Sequence, residues 1–139
     1  EIPLANWPQL ENTCWIFAHA VHAERDDMLD LDELPMSFID VLASVDVVLT
    51  KPGYGTYAEA VCQGVELLVL ARRDWPETAT LNQWAQQHGH IATITREQFH
   101  GGEFVSEVEA LLALPPGAGL EPTGISDAVA VLREALSAD

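Results

Sequence analysis

The 139-residue sequence predicts an α/β fold in which a Rossmann-like parallel sheet carries helices on both faces. Two short apolar runs, 45–50 and 65–71, lack the polar alternation of a half-exposed strand and are typical of strands buried on both faces. Each run is followed by a helical pattern. Strand and helix patterns alternate in this way from residue 37 to residue 114, which favours a parallel sheet whose connections are helices.

Local signals predict the elements one by one. The residues from 1 to 12 form an irregular lead-in with one helical turn, and TCWIFA at 13–18 predicts a strand. A short strand is expected near 28–31, and Ser37 with Asp40 marks the start of a short helix. The remaining predictions, in chain order, are a strand at 45–50, a helix from Thr56, a strand at 65–71, a helix at 76–88 stopped by Gly89, a strand at 90–95, a turn at 96–99 and helices at 103–114 and 124–136.

The last of these helices is amphipathic. Its apolar residues are Ile125, Val129, Leu132 and Leu136, which form one stripe at helical spacing.

Composition limits the function. A hydrophobic content of 48% supports one globular domain over residues 1–139, and the net charge of −16 makes nucleic acid or an anionic membrane an unsuitable partner of the bulk surface. We expect no transmembrane segment. Cys14 and Cys62 have the pattern of small buried hydrophobic residues rather than of a disulfide or metal set, which favours a cytoplasmic protein. Because the sequence starts at Glu1 rather than Met, we expect it to be a fragment of a longer chain.

The few cations are concentrated. Lys51, Arg72 and Arg73 make up half of the six Lys and Arg residues, and each follows a predicted strand. The carboxyl ends of neighbouring parallel strands meet at one edge of a sheet, where ligands of such folds bind. We expect these cations to face an anionic ligand; the alternative is that the arginines form surface ion pairs with Asp74 and Glu77.

The stretch 46–59, DVVLTKPGYGTYAE, combines a strand, a glycine loop and a helix start. Pro52, Gly53 and Gly55 predict a sharp turn, and Thr56 followed by Glu59 has the spacing of a capping box. The main-chain N–H groups at such a helix start are suited to phosphate. This stretch is therefore the predicted functional centre.

The glycine pattern at 53–58 also fits the G-x-G-x-x-G/A fingerprint of dinucleotide-binding folds. In those folds the fingerprint opens the first strand–helix unit, whereas here a strand and a helix precede it. An NADP site that uses Arg72 or Arg73 for the 2′-phosphate stays open as an alternative of lower rank.

Several short motifs occur in order between Phe38 and Gly89: FID before a helix, ASVDVVLTKPG, a Gly-Thr-x-x-Glu turn at 55–59, A-x-x-x-G at 60–64 and Asn82 in the next helix. This segment resembles the C-terminal, donor-binding half of two-domain (GT-B) glycosyltransferases, including the enzymes that add N-acetylglucosamine to the lipid intermediate of peptidoglycan synthesis. KPGYGTYAEA with ARRDW is also similar to a glycosyltransferase-like segment of some sugar kinases.

The resemblance implies a site for a nucleoside diphosphate sugar, with UDP as the expected nucleotide. The implied contacts are Phe38 and Ile39 for the base, Gly53, Tyr54, Gly55 and Thr56 for the diphosphate, Glu59 for the ribose hydroxyls, and Glu77, Thr78 and Asn82 for the sugar. The chain has PETATLN where the family has a glutamine pair, so the donor sugar is not specified.

The resemblance assigns the acceptor site and the catalytic base of glycosyl transfer to an N-terminal domain that this sequence does not include. We find no catalytic constellation, cofactor or metal set in the sequence, because His19, His22 and Glu24 lack the spacing of a metal site. The expectation is a donor-binding half that is inactive alone. A non-catalytic binding module and a nucleotide-sugar epimerase-like domain stay open as alternatives. A half that lacks its partner domain is also expected to self-associate.

Overall fold

The computed structural model describes residues 2–19, 21, 25–72 and 74–137. Two parallel sheets form in this part of the chain. β1 (Trp15–Phe17) pairs with β2 (Met28–Asp30), and a separate three-stranded sheet has the order β3-β4-β5. Its strands are β3 (Val47–Thr50), β4 (Glu66–Leu70) and β5 (Ile91–Ile94).

Six α-helices connect or follow the strands in the described ranges. They are α1 (Phe38–Leu42), α2 (Tyr54–Gln63), α3 (Thr78–His88), α4 (Arg96–Gly101), α5 (Val105–Leu112) and α6 (Gly124–Ser137), and single 3-10 turns cover Leu4–Asn6 and Leu31–Glu33. The prediction of alternating strands and helices from residue 37 to residue 114 is confirmed.

The three-stranded sheet is covered on both faces because successive residues of its strands enter two different cores. Leu67 and Val69 of β4 pack in one core with Tyr57 and Val61 of α2. Leu68, between them in sequence, packs in a second core that also contains residues of β1, β2, β5 and α5. This alternation is what a strand buried on both sides requires, and it confirms an α/β fold with helices on both faces.

The described strands form two separate sheets rather than one. β1 is three residues long, pairs with β2 alone and makes no ladder with β3. A cavity of about 340 Å³ separates the two strands. The apolar pattern of a strand predicts that it is buried in a core but not which strand lies beside it, so the sequence could not reveal this gap.

The predicted turn after β5 is also wrong, because α4 forms there. Thr95 accepts a hydrogen bond from the main-chain N–H of Gln98, and the Gln98 side chain accepts one from the N–H of Thr95. These reciprocal bonds are a capping box. The T-x-x-Q spacing in the sequence was sufficient to predict this helix.

The expectation that both cysteines are buried is wrong. Cys14, directly before β1, is exposed, and Cys62 is half-buried. The apolar stripe of α6 is exposed as well: Ile125 and Leu136 keep 85% and 80% of their surfaces, and α6 has no buried residue. The helix is amphipathic as predicted, but no other described residue packs over its apolar stripe.

None of the helices in the described part of the chain combines the length and the apolar content needed to cross a membrane.

Candidate functional site

The glycine loop lies at the carboxyl end of β3, next to the carboxyl end of β4. The register pairs Thr50 with Val69, so the loop 51–53 and the segment 71–78 leave the sheet side by side. The predicted strand, bend and helix are therefore formed, and the bend lies at the carboxyl edge of a parallel sheet, the edge where ligands of such folds bind.

The start of α2 differs from the predicted capping box. The helix begins at Tyr54, two residues before Thr56, and its N-cap is Gly53 in an extended conformation (φ −169°) with no side-chain cap. The Gly53 carbonyl accepts a hydrogen bond from the Tyr57 N–H. Thr56 thus lies inside the first turn, and Glu59 does not cap the helix.

Within the described part of the chain no side chain caps this helix, so main-chain donors are left without a partner there. The N–H groups of Tyr54, Gly55 and Thr56 belong to the first turn, where no carbonyl of the same helix can reach them. Together with the helix dipole they favour an anion at this point.

The space in front of the loop is open. A Cβ atom placed on Gly55 would meet nothing within 4 Å, and one on Gly53 would meet only the Lys51 carbonyl oxygen at 3.9 Å. Neither glycine is required by packing against described residues. Gly55 therefore leaves room for a group that approaches the main chain closely.

Two charged residues predicted for the site are exposed beside it. Lys51 directly follows β3, and Glu59 lies in the second turn of α2. Glu59 stands four residues after Gly55, so the two residues share one face of the helix. A carboxylate at this position can accept hydrogen bonds from hydroxyl groups of a ligand held at Gly55.

Arg72 is paired rather than free. Its guanidinium lies 3.2 Å from the Asp74 carboxylate and 5.9 Å from the centre of the Trp75 ring. The hydrogen bond from Arg72 lowers the pKa of Asp74 below its usual value. The ion pair that the sequence left as the alternative is thus formed by Arg72. Arg73 lies outside the described residues.

Tyr54 connects the helix start to the segment after β4. Its side chain is 59% exposed, and its ring stands edge-on to Trp75 at 6.1 Å. A hydrogen bond with Glu77 raises the pKa of Tyr54. Tyr54, Trp75 and Glu77 therefore form a polar and aromatic wall beside the free N–H groups.

Thr78 and Asn82 are engaged in hydrogen bonds that order the site. The Thr78 hydroxyl donates to the Arg72 carbonyl at 3.2 Å, and the Asn82 carbonyl oxygen accepts from the Tyr57 hydroxyl at 2.7 Å. The bond to Tyr57 joins α3 to α2. The Asn82 amide nitrogen has no role in that bond and can donate to a ligand.

Replacing Tyr57 by phenylalanine should destabilise the fold by about 1 kcal/mol, the usual net value of one hydrogen bond. Burial raises the pKa of Tyr57 to about 12. A tyrosine of the unfolded chain loses its proton near pH ~10, so the unfolded state binds fewer protons above that pH and stability falls as the pH rises toward about 12.

Urea unfolding measured from neutral to alkaline pH tests this expectation. The Tyr57→Phe protein should lose less stability with rising pH than the unchanged protein. Tyr54→Phe is the comparison variant: the pKa of Tyr54 is also raised, but its side chain is exposed, so this change should remove less of the alkaline loss than Tyr57→Phe does. An identical alkaline loss in the Tyr57→Phe protein would contradict the assignment.

Phe38 and Ile39, predicted to contact a base, lie in the first turn of α1 and are 44% and 41% exposed. Ser37 caps this helix as predicted, by accepting a hydrogen bond from the Asp40 N–H. Phe38 and Thr56 line the same cavity of about 340 Å³. The structure therefore brings the start of α1 close to the start of α2.

The sequence reading did not single out Arg96, which follows β5 as Lys51 follows β3 and Arg72 follows β4. A second cavity of about 290 Å³ lies there, lined by Ala71, Arg72, Asp74, Thr95, Arg96 and Glu97. The missed signal was simple: a cation stands within two residues of the end of each of these strands.

No group of three or more His, Cys, Asp or Glu side chains that could hold a metal ion occurs in the part of the chain that the structure describes. His22 and Glu24 fall outside it, whereas His19 lines the cavity between β1 and β3.

Comparison with known proteins assigns no family. No protein-family model matches the sequence, and neither the curated proteins nor the solved structures give a significant match.

Proposed function

We propose that the residues from Gly53 to Glu59 bind a nucleoside diphosphate sugar, with UDP as the nucleotide, and that the chain is the donor-binding half of a GT-B glycosyltransferase. One observation carries the proposal: α2 begins without a side-chain cap at the carboxyl end of β3. Its free N–H groups at Tyr54, Gly55 and Thr56 are suited to the diphosphate.

Charge supports the same ligand. The chain has a net charge of −16, yet Lys51 stands next to the helix start and adds positive charge to the field of the helix N-terminus. An acidic surface elsewhere repels a polyanion but does not prevent a small anion from binding at one positive point.

Polar side chains lie where the resemblance places the ribose and the sugar of the ligand. Glu59 shares a face of α2 with Gly55 and is exposed, so its carboxylate is available to the ribose hydroxyls. The groups offered to the sugar are Glu77, which is hydrogen-bonded to Tyr54, and the amide nitrogen of Asn82, whose oxygen is bonded to Tyr57. Phe38 and Ile39 are exposed on the side of α1, where the base would lie.

The proposal assigns binding to these residues. In GT-B enzymes, which the sequence resembles, the acceptor and the base that deprotonates it belong to the other domain. The described chain is therefore expected to bind the donor but not to transfer the sugar.

Isothermal titration calorimetry with UDP and with inorganic pyrophosphate tests the site. Gly55→Ala should weaken both ligands about tenfold or more, because a methyl group then stands where a phosphate approaches the main chain. The same change should leave the fold intact or slightly stabilise it, since alanine favours a helix by roughly 1 kcal/mol over glycine and the added atom meets nothing within 4 Å.

Glu59→Ala separates the ribose from the diphosphate. We expect a loss of about tenfold for UDP, the effect of losing hydrogen bonds to a carboxylate, and no loss for pyrophosphate. Glu109→Ala, on exposed surface of α5, removes the same charge away from the site and is the control. Absence of heat with millimolar UDP, or unchanged UDP affinity in both site variants, would overturn the proposal.

A further inference from the structure

The cavity of about 340 Å³ between β1 and β3 lies along the edges of the strands rather than on one face of a sheet. It is lined by every residue of 15–19 and of 47–50 in turn. Successive side chains of a strand point to opposite faces. A cavity that contacts every residue of a strand must therefore run along the edge of that strand. The cavity is thus a gap between β1 and β3, in the plane that the two sheets share.

The ladder of β3 shows which of its main-chain groups face this gap. The Glu66 N–H donates to the Asp46 carbonyl at 3.1 Å. In a parallel ladder the groups then alternate, so that the N–H groups of Val48 and Thr50 point toward β4. Those of Val47 and Leu49 point the opposite way, toward the gap.

The same reasoning applies to β1. The Trp15 N–H donates to the Asp27 carbonyl at 2.8 Å, which directs the N–H of Phe17 toward β2 as well. The N–H of Ile16 therefore points away from β2. Among the described residues, two strand edges whose outward main-chain groups have no ladder partner therefore border one space. Such groups carry a free-energy penalty when they are shielded from water.

The lining of the gap restricts what can occupy it. Among the described residues the lining is mostly apolar and includes Ile16, Phe17, Val48 and Leu49. An occupant has to supply hydrogen-bond partners to both edges and apolar side chains to both faces. A hydrocarbon satisfies the faces but not the edges, whereas an extended apolar peptide satisfies both.

We propose that an extended apolar peptide segment from outside these 139 residues inserts between β1 and β3 as an additional strand. Its hydrogen bonds to both edges join the two sheets into one. About four residues suffice, because β3 is four residues long. This inference does not depend on nucleotide binding, since it rests on the strand edges and the cavity between them.

Amide hydrogen exchange measured by NMR on the 139-residue chain tests the proposal. Without an added peptide, the amides of Ile16, Val47 and Leu49 should exchange about 100-fold faster than those of Val48 and Thr50, which are bonded within the sheet. The probe is a peptide with the sequence of residues 65–71, VELLVLA, flanked by lysines for solubility. This sequence is chosen because β4 already pairs in parallel on both of its sides.

Adding the probe should slow exchange at Ile16, Val47 and Leu49 together. The control peptide has the same charge but carries proline at alternate positions, which removes the N–H donors of one edge. Three results would overturn the proposal: these amides are already as protected as Val48, the probe does not slow them up to its solubility limit, or the proline peptide slows them equally. The last result would indicate a site for apolar ligands instead of a strand.

Discussion

Replacing Gly102 by alanine should destabilise the protein by ~2–5 kcal/mol, because the change adds backbone strain to a steric clash. Gly102 ends α4 in the left-handed conformation, with φ 72°. A Cβ atom at this position would stand 1.8 Å from the Asn6 carbonyl oxygen. That oxygen belongs to the main chain, so the clash is relieved only if the N-terminal segment moves away from α4.

Gly101→Ala is the matched control for this prediction. Its Cβ would meet the side chain of Glu103 at 3.3 Å, and that side chain is exposed and free to shift. We expect Gly101→Ala to change the free energy of unfolding by less than about 1 kcal/mol in urea denaturation. Equal stability of the two variants would show that the close approach of Asn6 to Gly102 does not hold the N-terminal segment in place.

The strands of the larger sheet could be predicted because strands buried on both faces are built from uninterrupted apolar residues. β4 is buried on both faces, and its residues 66–70 carry a nearly uninterrupted apolar run. The helices after β3 and β4 follow from apolar spacing and from the glycines that end them, Gly64 and Gly89. These signals are local, so no knowledge of the rest of the fold was needed.

The start of α2 could not be predicted to the residue, because two local signals compete there. Thr56 and Glu59 have the spacing of a capping box, but Gly53 takes the N-cap in an extended conformation that any residue can adopt. The packing of Tyr57, which is fully buried, fixes where the helix face must lie. Tertiary packing thus decides between signals that are equal in the sequence.

The location of the candidate site was predictable, whereas its internal bonds were not. Parallel strands place their carboxyl ends at one edge, and this rule alone brings Lys51 and Arg72 to the same side of the sheet. The ion pair of Arg72 with Asp74 and the bond of Tyr57 to Asn82 depend on side-chain conformations. Residues 25 positions apart in the sequence give no local sign of such a bond.

The N-terminal lead-in shows the same limit. Its sequence has two prolines and little periodicity, which predicts an irregular segment with one helical turn and gives no sign of a core residue. In the fold, however, Trp7 is only 7% exposed and packs in a core with residues of β1, β2, β4, β5 and α5. A single buried aromatic residue has no periodicity, so pattern analysis does not detect it.

Trp7→Ala should destabilise the protein by about 3–5 kcal/mol, the range for removing a large aromatic side chain from a core. Four aromatic rings stand edge-on to the Trp7 ring with centres 5.3–5.6 Å away: Trp15, Phe17, Phe99 and Phe104. Removing the indole leaves a cavity among rings that come from three parts of the chain, and the rings cannot all close on it. Urea denaturation followed by circular dichroism measures the loss.

Trp7→Phe separates the ring contacts from the indole N–H. The Trp7 Nε1 atom is buried and has no hydrogen-bond partner among the described residues, a situation that costs about 1–3 kcal/mol. Phenylalanine keeps an aromatic ring at the centre of the cluster. Its smaller size destabilises the core, whereas the removal of the unpaired N–H donor stabilises it, so the two effects oppose each other. We expect Trp7→Phe to retain most of the stability that Trp7→Ala loses. Equal destabilisation of the two variants would contradict this expectation. It would mean that the indole N–H forms a stabilising bond and that the edge-on ring contacts do not hold the N-terminal segment against the sheet.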